Sequence, residues 1–510
     1  MANEKDLSII RFKKENSFDI NSEITLEDYK PDIKKLLHCK ETVLAPSKYV
    51  SKDGIELEGT VNYGVTYLGT DNHLYSTSFT EEYSLSGRSE NGIRGDDISD
   101  HTVVWSEGVT LRLLSPRKFS LRNKILSRSL LTSTMEKDDC VSERFIPSEC
   151  EYQTFTAKGI TTFSASGEIV ELCDEYIPRS DTERIISSEA SVFISDVHAD
   201  DGRISVRGEL IADILACDDE GFEMPYTVRR KIPFSQETEH PDVCKGDKLS
   251  ASGICTELKV LPEESRVLIC AYCCFDYSFS KITEESVCTD AFSPLHALKL
   301  TDSKIRYVRS AHSANGNISI STSYPLADIG ISPSFTGIYA IGSANVTDFS
   351  SSAENGKGTI FGECKFRTVF YSDTNEIPEY ESKDVTVPFK YEFSFESTGE
   401  QSLWCSNPTL SRISLRTDGE KLAIDAELSV TFTVICESER AVISDITVGE
   451  KKKEPDNCIR IVYPQKGETL WTLAKKTSTR ISHICKSNGI QKNDQPSSPD
   501  SLASCRFLLI

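Results

Sequence analysis

Two short stretches of the chain hold residue types that could do chemistry. The first is CAYCC, where Cys270, Cys273 and Cys274 include a C-x-x-C spacing. Two thiolates at that spacing suit a tetrahedral zinc ion, but a closed site wants a second close pair. The nearest candidates, Cys255, Cys288 and His296, stand alone at no metal-ligand spacing. A redox dithiol wants a helix N-terminus to lower its thiol pKa, and VLICAYCCFDY reads instead as a buried strand. No metal and no cofactor is expected. The second stretch is KGETLWTLAKK, which runs Lys466, Gly467, Glu468, Thr469, Leu470, Trp471 and carries Lys475 and Lys476 behind them. Its lysines could meet a carboxylate or a glycan hydroxyl, and its tryptophan is the residue type that anchors interfaces. In so small a segment the same tryptophan could equally be core, and the lysines plain surface.

Other chemistries lack their residues. The eight histidines form no H-x-x-x-H or H-E pair. NGKGT (355–359) lacks the phosphate-loop spacing and precedes a strand instead of a helix, and no G-x-S-x-G elbow occurs. Carboxylates are plentiful without a pair that stands out, so no catalytic residue and no enzyme is expected. A net charge of −22 over 510 residues argues against nucleic acid and anionic membrane as partners. The first twenty residues hold no apolar run of signal-peptide length, and no stretch could span a bilayer. The expectation is a soluble protein made in a cytoplasm, with its 17 cysteines reduced.

The elements that must position these residues are mostly strands, and they repeat. DGIELEGTVNYGVTYLG begins at Asp53, DGRISVRGELIADILAC at Asp201 and NGKGTIFGECKFRTVFY at Asn355. Aligned on Gly59, Gly208 and Gly362, the copies are 149 and 154 residues apart. After each glycine, alternate residues are mostly apolar or small, which is the period of a strand with one buried face. The Asp-Gly and Asn-Gly pairs upstream are hairpin-turn chemistry. A glycine recurring inside a strand signals a bulge or a close backbone approach. A second landmark, DIKKLL at Asp32 and DTERII at Asp181, repeats at the same offset of 149.

The fold class expected is mainly β: three tandem β-rich, sandwich-like domains followed by a small βααβ domain. The expected boundaries are 1–145, 146–298, 299–447, a charged linker at 448–458, and the tail at 459–510. In the tail, IRIVYP reads as a strand stopped by Pro464. Leu470, Leu473 and Ala474 share one face of a helix capped by Thr469. Ile481, Ile484 and Cys485 share a face of a second helix, capped by Ser478 or Thr479 and ended at Asn488-Gly489. RFLLI makes the closing strand. Eight basic and three acidic residues give the tail +5 and leave −27 for the rest. A basic tail on an acidic body could dock back onto that body or steer to an acidic partner.

The run Lys466, Gly467, Glu468, Thr469, Leu470, Trp471, with Leu473, Ala474, Ile484 and Asn488, resembles the LysM module. YKPDIKKLL followed by IELEGTVNYGVTYLG resembles the SPOCS repeat domain, most closely in the first copy, less in the second and least in the third. SPOCS copies followed by a C-terminal LysM resemble a family of clostridial spore-coat morphogenetic proteins. That resemblance implies a non-enzymatic adaptor in the mother-cell cytoplasm, at the forespore surface and basal coat layer. It implies that the LysM module binds the coat scaffold ATPase, stage IV sporulation protein A, with other coat proteins as further partners. The partner-binding residues would be Lys466, Gly467, Glu468, Thr469, Leu470, Trp471, Lys475 and Asn488. The alternative is a protein that binds peptidoglycan or another N-acetylglucosamine polymer of wall or cortex. A hydrolase with an unrecognised catalytic domain is a third reading.

Overall fold

The computed structural model describes residues 8–90, 92–93, 98–134, 140–218, 225–247, 249–332, 334–335, 337–339, 344–372, 379–396, 399–405, 408–452, 460–465, 468–490 and 508–509. The protein is mainly β. Among the described residues no helix is long and apolar enough to cross a membrane.

Three strand sets of like construction follow one another. The first comprises β1 (Ser8–Thr25), β2 (Ile33–Val43), β3 (Ser47–Ser51), β4 (Gly54–Gly69), β5 (Leu74–Arg88), β6 (Ser99–Ser115) and β7 (Lys118–Thr134). The second comprises β8 (Glu151–Ser166), β9 (Val170–Tyr176), β10 (Glu183–Asp200), β11 (Arg203–Asp218), β12 (Tyr226–Glu239), β13 (Leu249–Pro262) and β14 (Val267–Phe292). The third comprises β15 (His296–Pro325), β16 (Gly337–Tyr339), β17 (Ala344–Glu354), β18 (Lys357–Ser372), β19 (Glu379–Ser394), β20 (Glu400–Cys405), β21 (Thr409–Asp418) and β22 (Lys421–Lys451).

In every set the middle strands form an antiparallel meander centred on β4, β11 or β18. The closing strand, β7, β14 or β22, lies between the opening strand and the penultimate ones in a second sheet. The two sheets of each set close on one apolar core. The central strands carry most of it: Val61, Tyr63, Val65 and Tyr67 of β4 are at most 1% exposed. Full burial of such a side chain contributes about 1.5–3 kcal/mol.

The recurring glycines sit in these central strands, where both readings of them are realised. Gly59, Gly208 and Gly362 lie opposite Tyr83, Phe234 and Phe389 of the next strand. A Cβ on Gly59 would lie 2.5 Å from the Tyr83 hydroxyl, and one on Gly208 would lie 2.0 Å from the Phe193 carbonyl oxygen. The strand on the other side is bulged beside Gly208 and Gly362, and at Gly59 it breaks into β2 and β3. The Asn355-Gly356 turn has positive φ at both residues, 51° and 79°, as a type I′ hairpin requires.

Two boundaries fall elsewhere than the sequence reading put them. β15 begins at His296, ahead of the 298/299 division, where His296 pairs with Lys451. Residues 448–451, a linker by sequence, continue β22, whose end is exposed on both faces and so tolerates Glu450 and Lys451. The rest of that stretch, 453–458, lies outside the described residues.

The sets are packed on one another at positions related by the repeat. Leu37 and Ile186, then Leu68, Cys217 and Tyr371, meet in a shared apolar cluster with Leu215, Val369 and Tyr380. Arg367 of β18 reaches into the first set. It donates to Glu41 Oε2 at 3.0 Å, to the Val109 carbonyl at 2.8 Å and to the Cys39 carbonyl. His38 of β2 pairs with Glu189 of β10 at 2.9 Å. His101 stacks edge-on against Trp404, 5.2 Å between ring centroids, where the three sets line a cavity of about 420 Å³.

Candidate functional site: the tail and its seat on β14

The tail is a βααβ unit: β23 (Ile461–Val462), α1 (Leu470–Thr477), α2 (Ile481–Asn488) and β24 (Leu508–Leu509), with β23 and β24 antiparallel. Thr469 caps α1 through its side-chain oxygen, which accepts from the Thr472 amide at 3.2 Å, while Thr472 accepts from the Thr469 amide at 2.9 Å. This capping box satisfies two orphan donors of the first turn. α1 ends on Ser478 in the left-handed region, and α2 ends on Gly489 there. The N-cap of α2 is Arg480, which makes no side-chain cap bond, instead of Ser478 or Thr479. Ser478 is already spent as the C-cap of α1, where Lys452 Nζ donates to its hydroxyl at 2.9 Å.

Helix periodicity puts Leu470, Leu473 and Ala474 of α1 and Ile484 and Cys485 of α2 inside, with Leu508 of β24. Eight-residue helices do not hold themselves in water, so this apolar cluster is what keeps them. Among the described residues it has one buried member from outside the tail, Phe292 at the end of β14.

Trp471 lies at that join. It is 8% exposed, and its ring packs edge-on to Phe292 with centroids 5.1 Å apart. Its Nε1 donates to Asp290 Oδ2 at 2.8 Å, and Lys475 Nζ donates to Asp290 Oδ1 at 2.6 Å. One carboxylate thus receives both. β14 is bulged between Cys288 and Asp290 against β8, and bulges re-aim side chains. Lys452 adds a third tie, donating to the Ser293 carbonyl at 2.8 Å.

The other sequence candidates have separate places. Glu468 Oε2 accepts the Gln465 amide at 2.9 Å, and Oε1 faces Lys476 Nζ at 3.4 Å. The backbone bond, with help from Lys476, holds its carboxyl below the usual range. Asn488 donates to the Leu509 carbonyl and accepts the Leu509 amide, both at 2.8 Å. It clamps the closing strand and faces the tail's own backbone. Leu470 is core. Lys466 and Gly467 lie outside the described residues. Thr469, Leu470, Trp471 and Asn488 therefore build and seat the tail. Its exposed residues include Thr472, Lys476, Arg480, His483 and Lys486. Two large apolar side chains join them: Ile461, 55% exposed, and Tyr463, 71% exposed. They stand two positions apart in sequence, Ile461 in β23 and Tyr463 just past its end. Sequence reading passed over this pair, although its alternation was there to be seen. Asp290 and Phe292 had no signal at all, being some 180 residues away.

The C-x-x-C group behaves as a strand. β14 alternates, so Cys273 points into the core and Cys270 and Cys274 point outward.

A family model described as SipL, SPOCS domain matches residues 181–260. The chain carries a SipL-type SPOCS domain. The match covers the meander β10–β11–β12 and most of β13, the second copy of the repeat and not the first, where the sequence resemblance is closest. The SPOCS match points to a sporulation-related family. Neither a curated protein nor a solved structure matches the chain.

Proposed function

We propose that the protein is a non-enzymatic adaptor of spore-coat assembly. Its tail, a LysM module, holds the coat scaffold ATPase, stage IV sporulation protein A, at the forespore surface. The observation that carries this is a tail with its own core, fixed to the SPOCS-bearing set through Trp471 and Asp290. That seat leaves the Ile461–Tyr463 edge and the basic helix surface uncovered. A fixed module transmits position from body to partner, and many such contacts on a polymerised partner add up. His38 pairs with Glu189 and His101 packs on Trp404, each contact joining two strand sets of the body.

This reading moves the partner contact away from Trp471. The partner meets Ile461 and Tyr463, with Arg480 and Lys486 supplying charge for an acidic surface. The test is a pull-down of the full chain on immobilised scaffold ATPase and, separately, on peptidoglycan. Retention on the scaffold supports the adaptor; retention on the polysaccharide alone refutes it in favour of glycan binding.

A further inference from the structure

β9 and β14 run antiparallel with Cys173 opposite Cys270 and Glu171 opposite Tyr272. The four side chains form a block on the outward face of the sheet, since residues two apart on a strand share a face. The two sulfurs lie 3.7 Å apart. The Glu171 carboxylate has an oxygen within 4.8 Å of both. Tyr272 donates its hydroxyl to Glu171 Oε1 at 3.0 Å.

Two thiolates on one tetrahedral zinc ion, each about 2.3 Å from the metal, stand about 3.8 Å apart. A disulfide needs about 2.05 Å and has no use for a carboxylate. We propose that Glu171, Cys173 and Cys270 bind one zinc ion, with solvent in the fourth position. Tyr272 orients the carboxylate from behind, as outer partners of metal ligands do. Thiolates favour zinc over the hard cations that carboxylates alone would take. The site ties β9, a short strand, to the start of β14, where the two strands pair. Its ligands come from positions 97 residues apart, beyond the reach of a spacing motif.

The experiment uses the reduced full chain, titrated with zinc against a chromophoric chelator, and with cobalt(II) as a spectroscopic substitute. The expected result is one equivalent bound and a thiolate-to-cobalt charge-transfer band. Both are lost in the Cys173→Ser/Cys270→Ser double variant. Tyr272→Phe retains the band and weakens uptake by roughly 10- to 100-fold. All four positions lie on the outward face, so far-UV dichroism should confirm that the variants fold. Equal uptake by wild type and double variant would overturn the proposal, because zinc would then sit on other cysteines. So would absence of uptake by the reduced wild type, or isolation of the native protein with Cys173 and Cys270 joined as a disulfide.

Discussion

Trp471 donates its indole N–H to Asp290 across 181 positions of sequence, and Lys475 occupies the other oxygen of the same carboxylate. The contact joins the tail to the last strand of the second set. The tryptophan is 8% exposed and packs within its own chain, at the join of tail and body.

Asp290→Ala should therefore loosen the tail without unfolding the body. The variant leaves the indole N–H of the buried Trp471 and one lysine without this carboxylate, a cost of about 1–3 kcal/mol. Amide exchange over 470–477 should accelerate, while the amides of β4, β11 and β18 keep their protection. Unchanged exchange in α1 would mean that Phe292 and Lys452 hold the tail without this carboxylate.

Two glycines of the central strands should respond oppositely to alanine. Gly208→Ala places a Cβ 2.0 Å from the Phe193 carbonyl oxygen and 2.7 Å from the Phe234 ring. A backbone group cannot swing away, so the loss should exceed about 2 kcal/mol. Gly64→Ala meets nothing within 4 Å and should stabilise by about 0.4–1 kcal/mol, through the unfolded chain. Denaturant midpoints of the two variants measure the contrast.

Arg367 tests the packing of the sets. Arg367→Met removes the guanidinium from a buried Glu41 and from two carbonyls, which should cost about 3–5 kcal/mol. Glu41→Gln in the same background should recover part of that loss, because the charge left behind is then gone. An additive double variant would contradict the pairing.

Acid should weaken the joints in two windows. Burial, aided by Lys48 and opposed by Asp100, pushes His101 down to about 4 from 6.5. The unfolded chain then takes up this proton first, so stability falls as pH drops from about 6.5 towards 4. Burial pushes Glu189 up, yet Lys40 and His38 outweigh it and leave the carboxyl lowered from 4.5. Its contribution is whole above that value and is lost as pH falls through the depressed one. His101→Phe should flatten the upper window alone, read from urea midpoints against pH.

The strands were legible because one face of each is buried, so residues such as Val61, Tyr63 and Val65 alternate openly. The repeat offsets of 149 and 154 fall on the central strands, where Gly59, Gly208 and Gly362 each lie opposite an aromatic residue of the next strand. The helices were legible from Leu470, Leu473 and Ala474, and from Thr469 as a cap. Contacts between distant segments left no pattern. Asp290 looks like any outward acidic residue of a strand, and Cys173 like a lone cysteine. Ser478, a good cap by type, does not cap α2 because it already forms the left-handed C-cap of α1. Ile461 and Tyr463 read as part of a strand, and only the structure shows how far both are exposed.

The most direct test of the adaptor account is the affinity of the full chain for the scaffold ATPase, compared with an Ile461→Ser/Tyr463→Ala variant. Losing exposed anchors at an interface centre typically costs about 2 kcal/mol or more, so affinity should fall at least about thirtyfold while exchange protection of α1 stays as in wild type. Wild-type affinity in that variant would contradict the account and return the partner contact to the body or to the covered face of Trp471.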